Sequence, residues 1–502
     1  MDSGTSSEYL TLSHCWGKIN ILRLLSTNID DLREHVPVST LPKTFQQAIL
    51  LTKKMGFRYI WIDSLCIIQD SVEDWKYEAA LMGDVYKHAA LNISATAAEN
   101  ENIGLFFQRN PLLVQPCEAD IVSKDSPDYP KSGTYRIIDK MLWERELDLA
   151  PLNTRGWVFQ ERFLSPRKLS FGVKQLSWEC TEFRASESFP AGLPDSVYSD
   201  TFKVSDGTQL AKLFPQAKPN SSKEPSEKQH AKQLWLTVVT GTEPIVVQGD
   251  KFTLDDGGST TPNAFRLWTT VIKQYARKEL TVEGDKLVAL AGVAKWYQGL
   301  FKDDVYLAGL WKSHLVDQLL WEVSPNTAAS RPKAFRAPSW SWASVDGRVG
   351  FRDILESNRQ NKLAQVVDAC VTTAPGDSTG TVTSGFATLK GRLIVAPWAQ
   401  ESSGWPGRIF SFKISDETVS GISDVEGFEF LSGRSVCLPV QVHLSDSDNS
   451  RFSSTLEGLV LEGPPEPSGA YKRIGWFAAH DAGARKLKEL RDSLEEQHAL
   501  II

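Results

Sequence analysis

Cysteine is scarce in this chain: it occurs six times in 502 residues, and no two cysteines form a CxxC pair. Sparse cysteines without paired spacing are typical of proteins in a reducing compartment, and they argue against a structural zinc site, so we expect no bound metal. The first eight residues contain neither a basic nor an apolar segment, and we expect no secretory signal. The sequence therefore predicts a cytoplasmic protein.

Long apolar runs and a surplus of basic residues are also missing. The longest clean apolar run, Leu287–Ala294, is far shorter than the roughly 20 residues that a membrane helix needs. Lysine and arginine together number 55 against 62 aspartates and glutamates, which gives a net charge of −7. Because nucleic-acid binders usually carry a basic surplus, we expect neither a membrane span nor a nucleic-acid partner.

Several short motifs of known chemistry are absent as well. No HExxH, GxSxG or GxGxxG phrase occurs, and Gly17-Lys18 lacks the spacer and the first glycine of a Walker loop. We therefore expect no bound cofactor.

The length of 502 residues exceeds what one hydrophobic core usually organises. We expect an α/β domain over residues 1–185, a linker or surface insertion over 186–235, a helical region over 236–335 and a β-rich region over 336–502. The linker contains Phe202–Lys232, which is rich in serine, lysine and proline and has little hydrophobic periodicity. A charged helix at Arg485–His498 is expected to close the chain.

Strand and helix patterns alternate over the first hundred residues. Tyr9–Ser13, Arg58–Asp63 and Leu91–Ala95 are predicted strands, and the second of these is apolar on both faces, which is typical of a strand buried between helices. Helical periodicity covers Thr44–Met55 and the segment that follows Ser71, a predicted N-cap. Such alternation predicts a parallel α/β sheet.

In sheets of this kind, ligands bind beyond the carboxyl ends of the strands. Here those ends carry Ser13, His14, Trp16 and Gly17 after the first strand and Asp63 after the second. Consecutive strand residues point to opposite faces, so His14 is not expected to activate Ser13 as a nucleophile.

Three phrases make the chain recognisable as a family member. Tyr9–Gly17 (YLTLSHCWG), Trp61–Asp70 (WIDSLCIIQD) and Arg155–Glu161 (RGWVFQE) resemble, in the same order, the three motif blocks of the fungal heterokaryon-incompatibility (HET) domain. Tyr306–Trp311 and Ala337–Ser344 resemble the segment that commonly follows that domain.

The resemblance implies a role in fungal self/non-self recognition, in which HET domains trigger programmed cell death. The family is also similar, distantly, to TIR domains, which have a flavodoxin-like parallel sheet with helices on both faces. TIR domains assemble, and some of them hydrolyse NAD. The resemblance thus implies protein partners or self-association. The alternative that it implies is an enzyme for which NAD is the substrate.

The TIR likeness makes Glu161 the candidate catalytic residue. Thr154–Arg162 is predicted to be a short helix with Thr154 as its N-cap, and Trp157 and Glu161 are four residues apart, which places them on one face. TIR enzymes carry a catalytic glutamate in such a Trp-x-x-x-Glu helix, where a carboxylate could offset positive charge on the ribose. The alternative is that Trp157 belongs to the core and Glu161 pairs with Arg155 or Arg162.

Six further residues are candidates for substrate binding because they belong to the motif blocks or to the strand ends: Ser13, Trp16, Gly17, Asp63, Arg155 and Trp157. Structural roles compete with this interpretation. Ser13 would close its strand, Gly17 would permit a tight loop, and Asp63 would cap the following segment.

Two mechanisms therefore stay open: an interaction module that signals by self-association, and an NAD hydrolase that uses Glu161. They differ in one structural requirement. The enzyme needs a concave pocket that holds Glu161 together with residues from Ser13–Gly17 and Asp63, whereas a position of Glu161 on the far side of the sheet would remove the main support for catalysis.

Overall fold

The computed structural model describes the chain in two compact units, residues 1–258 and 259–502. The predicted linker segment Phe202–Lys232 lies outside the described residues. The residues that the structure describes are 7–17, 22–122, 132–139, 141–181, 183–194, 262–301, 303–325, 327–351, 362–375, 377–395, 399–400, 408–414, 417–426, 435–443, 454–463 and 469–502.

The first unit is built on a six-stranded mixed sheet. Its strands lie in the order β2-β1-β3-β6-β7-β8; β2, β1, β3 and β6 are parallel, and β7 and β8 are antiparallel to their neighbours. A separate hairpin pairs β4 with β5. The bounds are β1 Tyr9–Ser13, β2 Tyr59–Ile62, β3 Leu91–Ser94, β4 Cys117–Ile121, β5 Gly133–Ile137, β6 Arg167–Phe171, β7 Leu176–Cys180 and β8 Arg184–Ser186.

The order of the strands determines on which face of the sheet the connecting helices lie. The helices of this unit are α1 Ile29–Glu34, α2 Lys43–Lys54, α3 Asp63–Cys66, α4 Val72–His88 and α5 Gly156–Leu164. The chain leaves β1 towards one edge through α2 and crosses back over β1 through α4 to reach β3. Right-handed crossovers in opposite directions place α2 and α4 on opposite faces of the sheet. The point of reversal, between β1 and β3, is where a ligand crevice forms in flavodoxin-like sheets.

The predicted parallel α/β sheet is confirmed for β2, β1, β3 and β6, whereas β7 and β8 pair antiparallel; the second strand needs a further correction. Leu10, Ile62 and Ile93 are at most 2% exposed, as expected. However, β2 is an edge strand, and Ile60 is only half-buried. The apolar pattern of β2 on both faces therefore does not reflect a strand enclosed on both sides.

Local signals explain where two helices begin. Ser71 accepts a hydrogen bond from the backbone N–H of Asp74 at 3.2 Å and caps α4, as predicted. Thr154, in contrast, is not the N-cap of α5. Its hydroxyl donates to the carbonyl of Pro151 at 2.8 Å, and Arg155 holds the N-cap position without a side-chain hydrogen bond.

The second unit begins with helices and continues into antiparallel sheets, in line with the predicted β-rich region. Its helices are α6 Pro262–Tyr275, α7 Ala291–Leu300, α8 Leu315–Gln318 and α9 Asp481–Asp492. The predicted final helix, Arg485–His498, is wrong at both ends, because the helix ends at Asp492 and a strand follows it. Within the described residues, no helix is long and apolar enough to cross a membrane.

Antiparallel pairing organises the strands of this unit. They form two two-stranded sheets, β9–β10 and β11–β12, a three-stranded sheet in the order β13-β14-β22, and a seven-stranded sheet in the order β15-β19-β20-β21-β18-β17-β16. The bounds are β9 Tyr306–Leu307, β10 Leu310–Trp311, β11 Trp321–Val323, β12 Val349–Phe351, β13 Gln365–Thr373, β14 Val382–Gly391, β15 Ile394–Val395, β16 Ala399–Gln400, β17 Ile409–Ile414, β18 Glu417–Ser423, β19 Ser435–His443, β20 Thr455–Glu462, β21 Lys472–His480 and β22 Gln497–Ile501.

Candidate functional site

The carboxyl end of β1 carries a buried hydrogen-bonded cluster around Ser13. The Ser13 hydroxyl donates to Oε2 of Glu161 at 2.5 Å, and the Asn92 amide donates to the same hydroxyl at 2.9 Å. Ser13 and Asn92 are paired neighbours at the end of β1 and on β3, whereas Glu161 comes from α5. Glu161 therefore lies beside the end of β1 and not on the far side of the sheet, the position that would have removed the main support for the enzyme hypothesis.

The carboxylate of Glu161 is enclosed, and its exposed fraction is 5%. Burial and, to a smaller extent, the negative charge of Asp63 raise the pKa of Glu161, whereas the Ser13 hydrogen bond, the charge of Arg155 and the hydroxyl of Tyr86 lower it; together they give a pKa of about 7. Near neutral pH, both the ionised and the protonated forms are therefore present.

Neither neighbouring arginine pairs with Glu161. Arg162 instead donates to Asp148 at 2.6 Å and to Glu179 at 2.9 Å, and Arg155 donates to the backbone carbonyl of His14 at 2.5 Å. The structural alternative for Glu161, an ion pair with one of these arginines, is therefore not found in the structure. Arg155 is nevertheless near enough to lower the pKa of Glu161 through its charge.

A second cluster surrounds His14, whose side chain points away from that of Ser13, as expected for neighbouring strand residues. His14 Nε2 lies 2.8 Å from Oδ1 of Asp63, and Nδ1 lies 3.3 Å from Oε1 of Glu101. Burial lowers the pKa of His14, but the two carboxylates outweigh burial and raise it to about 9. The imidazole is therefore positively charged at neutral pH and holds two carboxylates together.

Asp63 is the first residue of α3 and not its N-cap, which is Ile62. Oδ1 of Asp63 accepts from the backbone N–H of Ser64 at 2.7 Å at the start of α3, and its Oδ2 accepts from Nε1 of Trp16 at 2.9 Å. Burial raises the pKa of Asp63, yet His14, Trp16 and Arg155 together lower it, so the carboxylate stays ionised. Because its side chain is 20% exposed, Asp63 can still contact a ligand.

Residues 14–17, which follow β1, are held in one shape. The Trp16 ring is stacked with His14 at 6.4 Å between centroids, with an angle of 3° between planes. Gly17 has φ +67°, and a Cβ there would lie 2.6 Å from Cβ of Asn100. Glycine is required on both counts, because other residues rarely adopt this φ and have no space here. Trp16 is half-buried and Gly17 is exposed, so both face the accessible side of the site.

Trp157 lies at the start of α5 and packs across to α4. Its ring meets that of Trp75 edge to face at 6.1 Å between centroids. Trp157 is only half-buried, so part of the ring is accessible to solvent.

Sequence reasoning missed two members of these clusters. Asn92 is a polar side chain in the middle of a buried strand, and this contrast was a usable signal. Glu101 lies in an irregular segment after β3 and has no motif around it; its carboxylate is nevertheless 0% exposed. Among the residues that the structure describes, no group of histidine, cysteine and acidic side chains could hold a metal ion.

The fold and the site together define a mixed α/β domain with ionisable side chains gathered where its parallel strands end. Over residues 9–161 the chain matches the family model described as Heterokaryon incompatibility protein (HET), a range that begins at β1 and ends at Glu161. The chain therefore contains a HET domain over residues 9–161, and the matched range holds every candidate site residue. No curated protein and no solved structure matches the chain.

Proposed function

We propose that this HET domain protein acts in fungal self/non-self recognition and triggers programmed cell death, and that its HET domain does so by hydrolysing NAD. The position of the Glu161 carboxylate supports this activity best. It lies beside Ser13 at the carboxyl end of β1, without an arginine partner and next to the β1–β3 reversal point.

In the proposed reaction, the bond between nicotinamide and C1′ of the ribose breaks, and its electron pair leaves with nicotinamide. Water adds at C1′ and releases a proton, so the products are nicotinamide, ADP-ribose and H⁺. Positive charge develops at C1′ as the bond breaks. The ionised form of Glu161 offsets that charge or orients the ribose hydroxyls, and its burial strengthens the effect because the local dielectric constant is low.

The remaining site residues have supporting roles in this proposal. Arg155, which is half-buried, supplies positive charge for the phosphates, and Asp63 offers a carboxylate oxygen to a ribose hydroxyl. Trp16 and Trp157 present partly exposed aromatic surface on which a base can stack. Ser13 and Gly17 shape the end of β1.

Expression in a fungal host tests the proposal. The wild type is expected to arrest growth while cellular NAD falls, and Glu161→Gln, which keeps the size but removes the charge, is expected to be harmless with NAD unchanged. Glu73→Gln removes the same charge from an exposed position on α4 and is expected to behave like the wild type. Growth arrest by the wild type with undiminished NAD contradicts NAD hydrolysis, and absence of arrest contradicts the role in cell death.

A second candidate mechanism, signalling by self-association, has support from β2. This strand is at the edge of the sheet, with Tyr59 and Trp61 half-exposed. An open edge can pair with the same strand of another copy, and a lysine on the edge opposes such pairing. Light scattering over a range of concentrations is expected to show growing mass for the wild type and a constant monomer mass for Tyr59→Lys. A wild type that stays monomeric throughout contradicts this mechanism.

A further inference from the structure

The shortest hydrogen bonds around Ser13 run from β3 to α5. Ser13 Oγ also lies 3.2 Å from Oδ1 of Asn92, but its one proton goes to the nearer acceptor, Oε2 of Glu161. The Asn92 amide donates to Ser13 Oγ at 2.9 Å, and the single hydroxyl proton of Ser13 then donates to Oε2 of Glu161 at 2.5 Å. Thr11 fixes the amide, because its hydroxyl donates to Oδ1 of Asn92 at 3.2 Å. These four side chains are 0–5% exposed, so water does not readily replace the hydrogen bonds.

Two hydroxyls act on the Glu161 carboxylate. Ser13 donates to Oε2, and the Tyr86 hydroxyl is a second hydrogen-bond donor near the carboxylate; both favour its ionised form. Glu161 is 5% exposed and Ser13 is 1% exposed, so Glu161 is the more accessible of the two side chains.

We propose that Ser13 and Asn92 are positioning residues for Glu161: Asn92 orients the Ser13 hydroxyl, and the hydroxyl anchors Oε2 so that the carboxylate is held in one orientation. This inference rests on the proposed function, in which Glu161 is the catalytic group that acts on the ligand. A glutamate side chain has several rotatable bonds, and a carboxylate fixed at one oxygen needs less reorganisation in the transition state.

The test is a pH titration of the Glu161 carboxyl group in the full chain without substrate. Infrared spectra of each protein are recorded across pH, and the spectra of the same protein carrying Glu161→Gln are subtracted to isolate the signal of Glu161. The hydrogen bond from Ser13 favours the ionised carboxylate, so Ser13→Ala is expected to raise the pKa of Glu161. Ser13→Thr keeps the hydroxyl and is expected to restore the wild-type titration. Ser177→Ala removes another buried strand hydroxyl, on β7, and is expected to change nothing.

Asn92→Ala provides a second variant that also decides the question if Ser13→Ala does not fold. It leaves the Ser13 hydroxyl without its donor, and it is expected to raise the pKa of Glu161 by less than Ser13→Ala does. The proposal is overturned if folded Ser13→Ala titrates like the wild type. If Ser13→Ala does not fold, a folded Asn92→Ala protein with the wild-type titration overturns it.

Kinetics separate this proposal from the proposed function. If the wild type releases nicotinamide, Ser13→Ala is expected to lower kcat about 10- to 100-fold with KM nearly unchanged, since a hydrogen bond to a charged group is lost from the transition state. Undiminished kcat in Ser13→Ala overturns the positioning role and leaves NAD hydrolysis standing. A shifted titration in a protein that never hydrolyses NAD supports the positioning role and contradicts the hydrolase.

Discussion

The hydroxyl of Ser13 donates to Oε2 of Glu161 at 2.5 Å, although the two residues are 148 positions apart in the chain. This hydrogen bond joins the first HET motif block to the third. His14, which follows Ser13, joins the first block to the second through its 2.8 Å contact with Asp63. The three separated phrases of the sequence are therefore parts of one site.

Glu161→Gln is expected to stabilise the domain at alkaline pH. The pKa of Glu161 is raised from 4.5 to about 7 by burial, so between these values the folded state binds more protons than the unfolded state. Stability therefore falls as pH rises through this window, by about 3 kcal/mol for a shift of this size, and glutamine avoids the loss. Urea unfolding of both proteins at pH 5 and pH 8 measures the effect. A difference between the proteins that is independent of pH contradicts it.

His14→Gln is expected to destabilise the domain by about 3–5 kcal/mol near pH 6, because Asp63 and Glu101 lose their buried cation. The pKa of His14 is raised from 6.5 to about 9 by those carboxylates, so its contribution is complete below pH 6.5 and disappears as pH rises through 9. The free energies of unfolding of the two proteins should converge over that range. His88→Gln, on the exposed face of α4, is the control. If the free energies of unfolding of wild type and His14→Gln differ by the same amount at every pH, the imidazole of His14 is not charged as described.

Arg162→Met is expected to cost about 3–5 kcal/mol, because it leaves Asp148 and Glu179 buried without their shared guanidinium. Arg136→Met is the matched control. Arg136 pairs with Glu118 at 3.5 Å on the exposed β4–β5 hairpin, where a pair contributes at most about 1 kcal/mol. The free energy of unfolding measures both. Equal effects of the two substitutions would show that Arg162 does not hold a buried ion cluster.

Gly17→Ala is expected to lower the free energy of unfolding by more than about 1 kcal/mol, since an alanine at φ +67° is strained and its Cβ would lie 2.6 Å from Cβ of Asn100. Gly133→Ala, whose added Cβ meets its nearest atom at 3.8 Å, is the control and is expected to change little. If both variants unfold like the wild type, residues 14–17 are not held as described.

The sequence predicts the parallel part of the first sheet well, because β1 and β3 are short apolar strands joined through clearly periodic helices. It does not reveal that β2 is at the edge, since the aromatic residues of that strand are equally compatible with burial on both faces. The β4–β5 hairpin is hard to predict for the opposite reason, because both of its strands expose most of their side chains and lack an apolar face.

For the site, the motif blocks identify Ser13, Asp63 and Glu161, but their partners depend on long-range packing. Nothing in the local sequence around Arg162 indicates that it binds Glu179 on β7 rather than the neighbouring Glu161. Glu101 likewise reaches His14 only because the chain after β3 folds back over the end of β1.

If the ionised carboxylate of Glu161 supports cleavage of NAD, nicotinamide release by the purified full chain should depend on pH between 5.5 and 8.5. The wild-type rate is expected to rise with pH and level off above about 7, following the pKa of Glu161. Glu161→Gln, shown to be folded by its thermal melting, is expected to be about 10²–10³-fold slower above pH 7, and the difference is expected to narrow at lower pH, where the wild-type carboxyl group is protonated. A folded wild type that releases no nicotinamide would contradict this role of Glu161. So would a folded Glu161→Gln variant that is as fast as the wild type.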